Sequence, residues 1–106
     1  MVDSALLAQV KRKLNITWSD DDTEARVNEI VESAIPYMIR ILGIADPDFD
    51  FSDAGAERTL FLAYCLYEWN HVAHEFQKNY SNDIAQVREF HEVNYYATGV
   101  SADAEQ

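Results

Sequence analysis

Apolar positions recur at helical spacing along most of the chain, and no stretch alternates as a strand does. Leu6, Leu7, Val10 and Leu14 share one face and predict a first helix over residues 4–14. Lys11, Arg12 and Lys13 crowd its last turn, where positive charge complements the helix dipole. Ser19 or Asp20 can cap a second helix, with Asp21, Asp22 and Glu24 near its positive end. Val27, Ile30, Val31, Ala34, Ile35, Met38, Ile39 and Leu42 then step by three and four up to a natural stop at Gly43. Pro36 interrupts that stripe without shifting its phase, which predicts a kink and not a break. An acidic loop over residues 44–53 follows. Asp53 can cap a third helix reaching roughly to Phe76, whose residues 60–67 are apolar on every side. Such a helix must be covered all round, and a small domain covers only part of the circumference, so a neighbouring subunit is expected to hide the rest. A fourth helix is expected over residues 83–95. Its stripe of Ile84, Val87, Phe90, Val93 and Tyr96 repeats every three residues and therefore creeps round the helix.

Fold class follows from this pattern. We expect an all-α protein, a small bundle of about four helices with a kinked second helix and a C-terminal helix followed by a mobile tail. Residues 1–96 form the helical body of a single domain and residues 97–106 its acidic tail. The 106 residues suffice for one modest core, burying about two-thirds of the unfolded surface. Hydrophobic residues at 48% exclude global disorder. The longest apolar run is eight residues, residues 60–67, far short of the ~20 a bilayer requires, so no membrane partner is expected. No charged start leads into an apolar stretch and cleavage site, and Cys65 is the one cysteine. Both features predict a chain made and kept in a reducing compartment. Nineteen acids against eight bases leave a charge of −11, which repels phosphate and argues against specific nucleic-acid binding.

Candidate chemistry is sparse. Asp46, Asp48, Asp50, Ser52 and Glu57 occupy positions 1, 3, 5, 7 and 12 of a calcium-binding EF-hand loop. The glycine needed at the sharp turn is replaced by Phe51, and Asp53 stands where an apolar residue belongs. We read an acidic loop with a helix cap. Glu68 and His71 form one Glu-x-x-His without the second copy that a di-metal bundle uses, and His71, His74 and Glu75 read as a polar face. Cys65 sits among apolar neighbours and behaves as a small apolar group, with nothing placing His91 beside it as a base. No metal or other cofactor and no enzymatic activity are expected. Lys11, Arg12 and Lys13 form the one basic cluster, suited to an acidic partner surface, including that of a neighbouring copy.

The layout is familiar. A Leu-rich first helix ends Lys13-Leu-Asn15-Ile16, and the second ends Tyr37-Met-Ile-Arg-Ile-Leu-Gly43. After the acidic loop comes Leu60-Phe-Leu-Ala-Tyr-Cys-Leu-Tyr67-Glu-Trp-Asn70, and the chain closes its body with Arg88-Glu-Phe-His-Glu-Val-Asn-Tyr-Tyr96. Over roughly residues 5–96 the chain resembles the small all-α head–tail connector proteins of long-tailed bacteriophages, also called adaptor or head-completion proteins. The resemblance implies a virion neck protein made in the host cytoplasm. It would form a ring, usually of twelve copies, that docks on the portal protein after DNA packaging. The ring extends the channel through which DNA passes without specific binding, and it offers a platform to the stopper or tail protein. On this reading Phe61, Tyr64, Tyr67, Trp69, Phe90 and Tyr95 are candidates for the subunit interface. Val93, Asn94, Tyr95 and Tyr96 are candidates for portal docking, and Asp46, Asp48, Phe49, Asp50 and Phe51 for a partner-contacting loop. A second reading is a small acidic helical inhibitor of the DNA-mimic kind, acting as a monomer or dimer.

Overall fold

The structure, a computed structural model, describes the backbone of residues 4–97 and the side chains of residues 4–93. It is all-helical: α1 (Ser4–Lys13), α2 (Asp21–Ile41), α3 (Ala56–Trp69), a 3₁₀ turn (Ala73–Glu75), α4 (Phe76–Asn79) and α5 (Ser81–Ala97). Helices α1, α2 and α3 pack mutually, and α5 lies against α3 and α4. The molecule is elongated, 50 × 29 × 19 Å along its principal axes. The expected tail lies outside the described residues.

Asp20 opens α2. Its backbone is extended, and its carboxylate accepts the Thr23 backbone N–H at 2.8 Å. Helix α2 runs through Pro36, which lies on the exposed face, where a missing N–H strands no buried carbonyl. Three helices end alike. After α1 the Ile16 N–H reaches the Lys11 carbonyl and Asn15 takes φ 60°; after α2 Ile44 reaches Ile39 and Gly43 takes φ 67°. After α3 Val72 reaches Tyr67 and His71 takes φ 63°. Each end is a Schellman motif, in which one left-handed residue lets later N–H groups return to the last carbonyls.

This geometry corrects two sequence expectations. Helix α3 stops at Trp69, short of Phe76, because His71 adopts the left-handed conformation and Arg26 donates to the Trp69 carbonyl at 2.6 Å. It also starts at Ala56, later than an Asp53 cap implies. Gly55 precedes it with φ 139°, a conformation open essentially to glycine alone, and no side chain caps it.

Buried side chains form one cluster across all the main elements. Leu6, Val10, Val27, Val31, Met38 and Leu42 meet Leu60, Phe61 and Cys65 of α3, with Phe51, Phe76 and Val87 closing the ends. Each large side chain so buried contributes about 2 kcal/mol. Around α3, Leu60, Phe61, Ala63, Tyr64 and Cys65 are buried, an arc of about 200° at 100° per residue. Leu62 and Leu66, which share the opposite side, are half-buried.

Candidate functional site

Helix α5 is held by its inner side. Ile84 and Val87 pack on the core, Arg88 donates to the Ile41 carbonyl at 3.1 Å, and His91 Nε2 lies 2.8 Å from a Glu57 oxygen. These four stand at i, i+3, i+4 and i+7, one face of a helix. The apolar stripe repeats every three residues and so slips about 60° from that face at each step. Phe90 and Val93 accordingly emerge, each 59% exposed. Phe90 keeps an edge contact with the His91 ring at 5.5 Å. Trp18, the third large exposed apolar residue, is tethered by its indole N–H to the Thr23 hydroxyl.

Of the other interface candidates, Phe61 and Tyr64 are corrected. Both lie in the chain's own core, at 0% and 7% exposure, and have almost no surface to offer. Phe61 stacks on Phe51, and Tyr64 on Tyr37, each pair at 4.7 Å. The Tyr64 hydroxyl donates to Glu68 at 2.6 Å; burial, and then that bond, push its ionisation up. Tyr67 is half-buried, edge-on to Phe76 and Tyr80, and accepts a hydrogen bond from Asn79. Trp69 is half-buried beneath the Arg26 guanidinium, 4.2 Å from the ring centre. Val93 stands exposed among the portal-docking candidates; the side chains of Asn94, Tyr95 and Tyr96 lie outside those described.

The acidic loop splits by direction. Asp46, Asp48 and Asp50 are exposed, Phe49 is half-buried, and Phe51 is 1% exposed. Phe51 is therefore a core residue, correcting its place in a contact loop: it anchors the loop from within. The carboxylates serve the loop's own turns. Asp46 accepts the Asp48 N–H at 2.8 Å, and Asp50 accepts the Ser52 hydroxyl at 2.6 Å and N–H at 2.9 Å. The Ser52 hydroxyl, then its N–H, hold the Asp50 carboxyl below the usual range. Glu57 is committed to His91 across the molecule. Among the described residues no three His, Cys, Asp or Glu side chains converge as metal ligands. None of the described helices is long and apolar enough to cross a membrane.

Cys65 is buried in α3, and burial pushes its thiol up to about 12. At neutral pH it is a thiol, not a nucleophilic thiolate. The basic cluster is divided. Lys11 is bound to Glu24 at 2.6 Å, whereas the exposed Arg12 and Lys13 line an open groove with Gln9, Arg58 and Leu62. Sequence reasoning missed Arg58, Arg26 and the His91–Glu57 pair. Arg26 and the His91–Glu57 pair are defined by contacts more than thirty residues away along the chain, and Arg58 by the groove it shares with α1, none of which periodicity encodes.

No family model, no curated protein and no solved structure matches the chain.

Proposed function

We propose that this chain is a structural subunit that works in several copies, a ring-forming head–tail connector of the bacteriophage neck that docks on a portal and carries the next neck or tail component. One observation carries the reading: α5 is already packed along one face and still presents Phe90 and Val93 to solvent one turn apart. Large apolar side chains grouped on a helix that needs no further cover mark a contact surface. The all-helical fold and the sequence resemblance point the same way. The apolar ring of α3 carries less weight, because its own chain covers most of it.

The charge sets the conditions of assembly. Copies near −11 repel one another, and salt screens that repulsion over about 8 Å at physiological strength. A portal surface would raise the local concentration of copies and favour closure. Electron microscopy of the purified chain, with and without a candidate portal protein, tests the reading. Rings that form with portal or at raised salt are expected. A chain that stays monomeric with both would overturn it, as would rings that form fastest at low salt without portal for the electrostatic account.

A further inference from the structure

The groove at the end of α1 is the one concentration of uncommitted positive charge among the described residues. Of the chain's eight bases, Lys11 is bound to Glu24, Arg26 to the end of α3, and Arg88 to the end of α2, while Arg40 lies over Tyr37 and Lys78 stands exposed and apart on α4. Arg12, Lys13 and Arg58 share the groove. No ion pair joins any of them to a carboxylate among the described residues. Arg58 makes only a long hydrogen bond, 3.4 Å, to the Ser52 carbonyl. The groove's apolar lining is Leu62, which belongs to the side of α3 that the core covers only in part. A cationic rim over an apolar floor suits an acidic segment that also brings an apolar side chain.

The chain carries such a segment. In its acidic loop the carboxylates of Asp46, Asp48 and Asp50 face solvent while Phe51 is locked into the core and Phe49 is half-covered. The turns at Asp46 and Asp50, and Pro47 between them, hold the loop in one shape before any partner arrives, which lowers the entropic cost of binding. We propose that the groove of Arg12, Lys13 and Arg58 in one copy receives the acidic loop of Asp46, Asp48 and Asp50 from a second copy. This rests on the self-assembly reading above and names the surfaces that meet. A second copy fits better than DNA, because the groove sets its cations beside the apolar Leu62, which an acidic loop carrying the half-covered Phe49 matches and a phosphate backbone does not. Contact pairs within the groove survive salt that screens the longer-range repulsion, so the pairing agrees with assembly promoted by salt.

The test is a charge swap read by sedimentation of the full chain across a range of concentrations. Arg12→Glu with Lys13→Glu makes both surfaces acidic; Asp48→Lys with Asp46→Asn and Asp50→Asn makes the loop basic and keeps an acceptor for each of its turns. Each variant alone is expected to weaken association about tenfold, and an equal mixture to restore it, because each then offers the other a complementary surface. Circular dichroism checks the fold, and Arg12→Gln with Lys13→Gln replaces the first variant if helix α1 suffers from the reversal. Variants that associate like the unaltered chain overturn the pairing and leave the ring reading standing. An unaltered chain that is monomeric at every concentration and salt overturns both. A short DNA duplex that binds the unaltered chain and not the Arg12→Glu, Lys13→Glu variant assigns the groove to phosphate and overturns the pairing.

Discussion

Helices α3 and α5 both carry apolar residues beyond the single stripe a surface helix needs, and the chain treats them in opposite ways. Helix α3 is central: α1, α2, α5 and the acidic loop converge on it, and five of its eight consecutive apolar residues are buried. Helix α5 is peripheral, with one side packed and the drifting part of its stripe in water. An all-round apolar helix therefore signals a central position first and a partner second. A stripe that rotates off the packed face of an outer helix is the more direct sign of a missing neighbour.

The largest effect belongs to α3. Replacing Phe61 by Ala removes a side chain with no exposure, stacked on Phe51, and should cost about 3–5 kcal/mol in chemical denaturation. Cys65 gives a second readout on the same helix. Its buried thiol should react with disulfide reagents only through unfolding, and labelling should speed up in the Phe61→Ala variant. Loss of under 1 kcal/mol would mean that α3 is not the centre of the fold.

The next effect lies where α5 grips the core. Gly43 has φ 67°, and a methyl group there would meet the Arg88 side chain at 3.1 Å. Gly43→Ala should destabilise by about 1–2 kcal/mol, from left-handed strain and from crowding of the arginine that ties α5 to α2. His71 is the opposite case. It takes a left-handed conformation without being glycine, so His71→Gly should stabilise by about 1 kcal/mol in thermal unfolding. A loss instead would show that its 3.1 Å contact with Arg26 outweighs the backbone strain.

Those three helix ends also show what was legible in the sequence. Gly43 could be read as a stop because glycine tolerates positive φ, and the stripe before it ends in phase. Asn15, another tolerant residue, stands where the first stripe ends. His71 gave no such signal: its conformation is held by the surrounding structure, including a guanidinium from α2, and the apolar pattern invited the helix onward to Phe76. The Asp20 cap, the core positions of α1 and α2 and the drift of α5 were visible because each is a local periodicity or a local hydrogen bond. The inward turn of Phe51 was not, since an irregular loop has no period to say which side chain faces the core. The groove escaped for the same reason, as it joins α1 to Arg58 and Leu62 of α3.

The smallest effect on stability should come with the largest effect on association, and this contrast bears hardest on the comparison. Phe90→Ser together with Val93→Ser alters two side chains that are each 59% exposed, so the monomer should change by no more than about 0.5 kcal/mol per site. On the function proposed above, ring formation or portal docking should fall sharply, because burying these two side chains would be the main gain of contact at α5. Equal loss of stability and association would mean that α5 leans on its own chain more than its packed face accounts for. Unchanged association would place the neighbour elsewhere on the molecule and leave the outer face of α5 as ordinary surface.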